Sequence, residues 1–188
     1  MDIEKTSIPD LLIMTPIRRK DDRGWFEETY NASHFAVAGI ALTFVQDNHS
    51  NSVAVGTLRG LHFQTPPHAQ DKLVRCSKGT IFDVGVDIRR GSPTYAKWFG
   101  IELSADNGKQ LLVPKGFLHG FVTRSADAEV QYKCTDVYAP DCDAGIRWDD
   151  PDIGIDWGLT GEPVLSGKDR IAPLLRDYDS PFVYEGVK

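Results

Sequence analysis

Apolar and polar residues alternate along much of the chain with the two-residue period of β-strands. In residues 80–88, four apolar side chains fall on one face, and Asp83 and Asp87 fall on the other. Residues 129–134 alternate in the same way, with Tyr132 on the apolar face. Further strands are predicted near residues 11–18, 43–46, 53–63, 72–77, 97–104, 110–113 and 120–124. The pattern therefore predicts a mainly β protein.

Turn signals separate the predicted strands, at Lys78–Gly79, Arg90–Pro93 and Asp106–Gly108. The pair Asn107–Gly108 predicts a tight β-hairpin, because both residues tolerate a positive φ. Only residues 31–38 have the features of a helix, which would begin at Asn31 or Ser33 and end at Gly39.

Many short strands, with a turn about every ten residues, indicate a sandwich, a jelly roll or a barrel. The chain has 188 residues, a length that favours one domain covering residues 1–188. From about residue 140 the sequence is rich in Pro, Asp and Gly. We expect this segment to wrap the barrel as loops and short helical turns.

Composition and charge narrow the classes of function. The net charge of -6 argues against a general nucleic-acid binder, which needs many phosphate contacts, although a few converging cations can still bind a small anion. No apolar run approaches the roughly 18 residues of a membrane span, and the N-terminus lacks the features of a signal peptide. The three cysteines, Cys76, Cys134 and Cys142, form no C-x-x-C pair. We therefore expect a cytoplasmic protein with reduced thiols that binds neither nucleic acid nor a membrane.

Several polar residues in or near the predicted strands could carry chemistry. Arg59 and His62 lie near one strand end, and Lys72, His119 and Tyr132 follow later in the chain. Taken singly, none of these residues is specific. A histidine in a strand is usually a core or surface group, and a tyrosine on an apolar face belongs more often to the core.

Taken together, the segments that contain these residues match one family in order. The segments are Arg59–Gln64 (RGLHFQ), Pro114–Phe121 (PKGFLHGF), Tyr132–Thr135 (YKCT), Gly145–Pro151 (GIRWDDP) and Leu165–Asp169 (LSGKD). Asp22–Glu28 and Gln46–Ser50 also fit the pattern of that family. From about residue 3 to about residue 176, the chain resembles the dTDP-4-dehydrorhamnose 3,5-epimerases.

The resemblance implies the cupin-like jelly-roll barrel, no cofactor, and a homodimer that exchanges N-terminal strands. It implies a dTDP-sugar substrate, dTDP-4-dehydro-6-deoxy-D-glucose, epimerised at C3 and C5 on the way to dTDP-L-rhamnose. His62 matches the general base of the family, Tyr132 its proton donor, and Asp169 the carboxylate that pairs with the histidine. The residues at substrate-contacting positions are Arg23, Glu28, Gln46, Asp47, Asn48, Arg59, Lys72, His119, Asp143 and Lys168, and Asp143 stands where many relatives have Glu.

These residue types suit epimerisation beside a ketone, which needs a base on one face of the sugar and an acid on the other. An imidazole with a pKa of about 6.5 suits proton abstraction at neutral pH, and a carboxylate on its other nitrogen fixes the tautomer. Lys72 would stabilise the enolate oxygen, and a nearby cation would make Tyr132 more acidic. Arg59 and Arg23 suit bidentate recognition of a diphosphate.

The spacing of Arg59 and His62 raises a geometrical problem. Residues three apart in a regular strand point to opposite faces, so both can reach one ligand only if the strand bulges, twists or ends between them. Gly60 would allow any of these departures.

Three alternatives remain open from the sequence. Many cupins bind metals, and Pro114–His119 resembles the second cupin motif, but Gln64 stands two residues after His62 where the first motif would need a histidine. The next histidine is His68, so the ligand spacing is poor and no metal site is predicted. The second is a non-catalytic sugar-nucleotide binding protein on the same fold. The third is an epimerase that inverts only C3 or only C5, or that uses a related dTDP-4-keto sugar.

Overall fold

The computed structural model describes residues 1–186, which form thirteen β-strands and two short α-helices. The strands are β1 (Asp2–Lys5), β2 (Leu12–Thr15), β3 (Arg18–Asp21), β4 (Gly24–Glu27), β5 (Gln46–Ser52), β6 (Leu58–Gln64), β7 (Lys72–Lys78), β8 (Thr80–Asp87), β9 (Trp98–Ser104), β10 (Gln110–Val113), β11 (Phe117–Thr123), β12 (Ala128–Cys134) and β13 (Asp143–Gly145). The helices are α1 (Ala32–Val37) and α2 (Gly167–Arg170), and 3₁₀ turns cover Pro140–Cys142 and Leu175–Asp177.

Two antiparallel sheets form the body of the protein. The first sheet has the strand order β1-β2-β10-β7-β12-β5, and the second has the order β13-β6-β11-β8-β9. Strands β3 and β4 form a separate hairpin. From β5 onward the chain changes sheet at every connection except that between β8 and β9. This repeated crossing is the jelly-roll arrangement that the family resemblance implies and one of the three that the strand pattern indicates.

The main hydrophobic core lies between the two sheets. The first sheet contributes Val74, Leu111 and Val130, and the second contributes Ile81 and Phe121, all buried in one cluster. Burying an aliphatic or aromatic side chain of this size contributes roughly 1.5–3 kcal/mol relative to exposure. One face of each strand therefore points into the barrel, and in β8 this is the face of Ile81 and Asp83 rather than the more apolar one.

The outer faces of both sheets are covered as well. Trp157, Leu175 and Phe182 of the C-terminal segment join the apolar outer side chains of β6, β8 and β11 in a second cluster. On the first sheet, Phe35 of α1 packs with Met14 and with outward-facing residues of β7 and β10. Because both faces of β8 are covered, its aspartates are buried rather than solvated.

The structure confirms most of the predicted elements. Strands β7, β9, β10 and β12 agree with the predicted ranges to within one or two residues. Helix α1 begins after Asn31, whose side chain accepts hydrogen bonds from the N–H groups of Ser33 and His34. Gly39, with φ of 80°, follows the end of the helix.

Two local predictions are wrong. The strand predicted near 43–46 is wrong, since β5 covers Gln46–Ser52, whose seven polar residues give no apolar signal, while the strand predicted near 53–63 corresponds to β6 but begins later, at Leu58. Asn107–Gly108 forms a turn but no hairpin, because β9 and β10, which it connects, belong to different sheets. None of the helices in residues 1–186 is long and apolar enough to cross a membrane.

Candidate active site

A bulge in β6 brings Arg59 and His62 to the same side of the sheet. His62 pairs with His119 of β11, but Arg59 pairs with Phe121, so three steps along β6 correspond to two along β11. The extra residue lies beside Gly60, which has φ of 141°. Gly60 also approaches β11 so closely that a Cβ atom on it would lie 2.6 Å from the Cα atom of Gly120. Of the three solutions left open by the sequence, the structure therefore has the bulge.

His62 is paired with a carboxylate from the C-terminal segment. Its Nε2 atom lies 2.5 Å from Oδ1 of Asp169, whose side chain is 4% exposed, against 33% for the imidazole. Asp169 lies in the first turn of α2, where its N–H donates to Oγ of the N-cap residue Ser166 at 3.1 Å. Helix α2 thus places the carboxylate against the inward-facing imidazole.

The hydrogen bonds around Asp169 keep it ionised. Burial alone would raise the pKa of Asp169, but its bonds with His62, Ser166 and the backbone of Gly60 hold the pKa below the ordinary value. An ionised Asp169 can only accept a hydrogen bond, so Nε2–H of His62 is the donor, and in the neutral imidazole the lone pair is on Nδ1.

Tyr132 and Lys72 reach the same cavity from the opposite sheet. The cavity has a volume of about 440 Å³, and His62, Arg59, His119 and Asp169 line it together with Tyr132 and Lys72. Tyr132 lies on β12 and Lys72 at the start of β7, both in the first sheet, whereas His62 belongs to the second. The Nζ atom of Lys72 lies 6.0 Å from the centre of the Tyr132 ring.

Burial changes the pKa values of Lys72 and Tyr132. It lowers the pKa of Lys72, although nearby Cys134, Asp143 and Asp83 oppose the change. It raises the pKa of Tyr132, and the lowering effect of Arg59 is smaller. The sequence-based expectation of a more acidic tyrosine is therefore wrong in sign, since desolvation outweighs the cation. Tyr132 remains a protonated phenol at neutral pH.

An adjoining cavity of about 210 Å³ shares His62, Lys72 and Tyr132 with the first. It is also lined by Gln46, Asn48, Asp143 and Lys168, together with Tyr138. Nζ of Lys168 is hydrogen bonded to Oδ2 of Asp143, and the Tyr138 hydroxyl donates to the same oxygen at 3.3 Å. His62, Lys72 and Tyr132 thus face both cavities.

A second histidine–carboxylate pair lies inside the barrel. Nε2 of His119 is 2.8 Å from Oδ1 of Asp83, which is fully buried, and Oδ2 of Asp83 has no hydrogen-bond partner within residues 1–186. His119 was predicted as a site residue, but Asp83 was predicted only as part of a strand. Its position between Phe82 and Val84 in a mostly apolar strand was the available signal.

Three predicted binding residues do not line these cavities. Asp47 lies on the outer face of β5, with its carboxylate 2.9 Å from Nζ of Lys133. Arg23 lies at the turn of the β3–β4 hairpin, 90% exposed and bonded to Asp21, and Glu28 bonds to Asn31 and His34. The alternation of side chains along β5 explains why Asp47 faces away from the cavity, because its neighbours Gln46 and Asn48 occupy the inner face.

Sequence reasoning also missed Tyr138 and Ser166, which lie beside predicted residues. Tyr138 lines the smaller cavity, and Ser166 caps α2 and lines the larger one. The Ser-x-x-Asp spacing of Ser166 and Asp169 is a recognisable helix-start signal. Within residues 1–186, no group of three or more His, Cys, Asp or Glu side chains is arranged to hold a metal ion.

The barrel and the polar, histidine-containing cavity at its centre define a cupin-like protein. The family model described as dTDP-4-dehydrorhamnose 3,5-epimerase matches residues 5–177. The dTDP-4-dehydrorhamnose 3,5-epimerase of Salmonella typhimurium is 52% identical over 176 residues, covering 93% of this chain and 96% of that protein. The chain therefore belongs to the dTDP-4-dehydrorhamnose 3,5-epimerase family, as the sequence motifs predicted.

Two further comparisons bear on structure and specificity. The solved structure of the dTDP-6-deoxy-D-glucose-3,5-epimerase of Legionella pneumophila, in complex with dTDP-4-keto-L-rhamnose, superposes with a TM-score of 0.94. It is 44% identical, and the match covers 98% of this chain and 99% of that one. The dTDP-4-dehydrorhamnose 3-epimerase of Streptomyces niveus is 41% identical over 165 residues, covering 87% of this chain and 79% of that protein.

Proposed function

We propose that this chain epimerises dTDP-4-dehydro-6-deoxy-D-glucose at C3 and C5 to give dTDP-4-dehydro-L-rhamnose. The observation that carries the proposal is the arrangement around one cavity, with a carboxylate-paired histidine on one sheet and a tyrosine on the other. Membership of the epimerase family supports the substrate class.

In this proposal His62 is the general base. Nδ1 abstracts the proton from the carbon beside the C4 ketone, while Asp169 stabilises the imidazolium that forms. The pair has the geometry for this role, because Asp169 is almost completely buried and held by the α2 cap. A well-placed general base contributes typically about a hundred- to ten-thousand-fold in rate.

Tyr132 supplies a proton to the opposite face of the sugar. Its raised pKa keeps the hydroxyl protonated at neutral pH, which a proton donor requires. Its position in the sheet opposite His62 supports delivery from the other side. Base and acid on opposite faces of the enolate produce inversion rather than exchange with retention.

Lys72 stabilises the enolate in this mechanism. The C4 oxygen gains negative charge as the proton leaves, and Lys72, which lines both cavities together with His62 and Tyr132, can donate hydrogen bonds to it. Arg59 bonds Ser52 and the Asn51 carbonyl with Nε and Nη2, which sets its guanidinium at the cavity wall. We assign Arg59 to the diphosphate.

The active unit is proposed to be a homodimer. Arg23 and Glu28 lie outside the cavities of their own chain, and Trp25 and Phe26 in the same hairpin are 55% and 70% exposed. Exposed aromatic side chains on a projecting hairpin suit burial against a second copy, whose site would then receive Arg23 and Glu28. A cytoplasmic location is part of the proposal, since the three cysteines are free thiols.

The test is incubation of dTDP-4-dehydro-6-deoxy-D-glucose with the protein in D₂O. Nuclear magnetic resonance should show deuterium at both C3 and C5 and a product with the L configuration at C5. The protein is treated overnight with EDTA beforehand, because no step above uses a metal, and the rate should be unchanged. Incorporation at C3 alone would instead indicate a 3-epimerase, the activity named for the Streptomyces niveus relative.

A further inference from the structure

A relay of three hydrogen bonds runs along the inner face of β5 and ends at a buried thiol. The backbone N–H of Tyr138 donates to Oε1 of Gln46 at 2.8 Å, and Nε2 of Gln46 donates to Oδ1 of Asn48 at 3.1 Å. Nδ2 of Asn48 then donates to Sγ of Cys134 at 3.6 Å. We call these four groups the hydrogen-bond relay.

The direction of the relay follows from its first member. A backbone N–H can only donate, so Gln46 must present its carbonyl oxygen to Tyr138 and its NH₂ group to Asn48. Asn48 must then turn its own carbonyl toward Gln46, which leaves its NH₂ group facing Cys134. The sulfur is therefore the acceptor, and both side-chain amides are held in one of their two orientations.

Cys134 is placed to close the relay. It is fully buried on the inner face of β12 and pairs with Gln46 on one side and with Lys72 on the other. Burial raises the pKa of the thiol, against the opposing effects of Lys72 and Asn48, so it remains neutral. A neutral, enclosed thiol is a poor nucleophile but can still accept a hydrogen bond.

We infer that Cys134 is a positioning residue. The Tyr138 N–H sets the direction of the relay, and the sulfur accepts its last hydrogen bond, which holds the Asn48 amide and through it the Gln46 amide in place, so that each offers an N–H donor to an acceptor oxygen of the ligand. Each NH₂ group uses one hydrogen in the relay and retains a second. Both side chains line the smaller cavity beside His62, Lys72 and Tyr132. This inference rests on the proposed function only for the identity of that ligand, a dTDP-sugar.

The test compares three substitutions that separate hydrogen bonding from packing. Cys134→Ser keeps an acceptor but loses some volume, Cys134→Val keeps the volume and loses the acceptor, and Cys134→Ala loses both. Because a typical net hydrogen bond is worth about three- to tenfold in an equilibrium, KM should rise by about that factor in the Val and Ala variants. The Ser variant should stay close to wild type, and kcat should change little in all three.

Cys76→Val is the matched control. Cys76 is a buried thiol in the core between the sheets, bonded to the carbonyl of Lys78, and it lines neither of the two cavities around His62. Its replacement should leave KM unchanged. If Cys134 served packing alone, Cys134→Val would behave like wild type and Cys134→Ser would be the worse variant, which would overturn the inference.

A measurement without substrate keeps the inference separate from the proposed function. The side-chain amide resonances of Asn48 and Gln46 should shift in Cys134→Val but remain near their wild-type positions in Cys134→Ser. Unchanged amide resonances in Cys134→Val would refute the relay even if the enzyme turns over the sugar. Absence of turnover by the wild-type protein would refute the proposed function, whereas the resonance comparison would still decide the inference.

Discussion

Nε2 of His62 lies 2.5 Å from Oδ1 of Asp169, although 107 residues separate them in the chain. The bulge at Gly60 turns the imidazole inward, and the cap of α2 holds the carboxylate against it. Two distant and independent pieces of local structure therefore meet in one hydrogen bond. Replacing each partner should have a distinct kinetic effect.

We predict that His62→Ala abolishes exchange at both carbons, with a loss of at least about a hundredfold in kcat. Asp169→Asn should lower kcat strongly and KM little, because Asp169 orients the imidazole and stabilises its charged form without contacting the ligand directly. Steady-state kinetics of both variants checks this. Near-normal turnover in His62→Ala would remove His62 as the base.

Gly60→Ala should disrupt the site through the backbone. The φ of 141° disfavours any other residue, and the added Cβ would meet the β11 backbone at 2.6 Å. We expect lower thermal stability and loss of activity. Gly161→Ala is the matched control, since its Cβ would have no neighbour within 4 Å, and it should be neutral. An active, stable Gly60→Ala protein would contradict the role given to the bulge.

How far the sequence predicts this molecule depends on the local pattern. The strands β8 and β12 were predictable, because their apolar residues recur with a two-residue period, and helix α1 was predictable from its Asn31 cap. Strand β5 was not, because its inner face lines a polar cavity and so carries no apolar signal.

The sequence likewise predicted some of the site residues and not others. Family motifs located His62, Tyr132 and Asp169, and the structure places all three around one cavity. The motifs did not distinguish Asp47 from its inward-facing neighbours. A sequence motif does not show which of its residues point into the cavity, because that depends on the strand register. Asp83 was missed as a partner of His119, because pairing across two strands depends on that register too.

The acid stability of the protein should depend on Asp87. This fully buried carboxylate accepts hydrogen bonds from Arg89, Ser92 and Thr94. Burial alone would raise the pKa of Asp87, but these bonds hold it below the ordinary value of 3.8. A lowered folded-state pKa means that Asp87 stabilises the fold fully above pH 3.8, and that this contribution disappears as the pH falls further.

Asp87→Asn should therefore lower the free energy of unfolding by about 3 kcal/mol at pH 7. The difference between variant and wild type should shrink below pH 3.8. Urea unfolding at pH 7 and pH 3 measures both values. A difference that is equal at the two pH values would show that the charge of Asp87 makes no contribution.

Mixing two inactive variants tests the dimer. If Arg23 acts in the site of the second copy, hybrids of His62→Ala and Arg23→Ala chains contain one intact site and one doubly damaged site. Random exchange makes about half of the dimers hybrid, so about a quarter of wild-type activity should appear. If Arg23 served its own chain, no intact site could form and mixing would restore nothing.

The most direct test of the central claim, inversion between His62 and Tyr132, is Tyr132→Phe assayed in D₂O. Phenylalanine keeps the ring packed against the core cluster that contains Val130 and removes only the hydroxyl. Deuterium should still enter from the His62 side with retained configuration, most visibly at C5, while product with the L configuration at C5 falls sharply. Formation of that product at the wild-type rate would contradict the account and assign Tyr132 to the core.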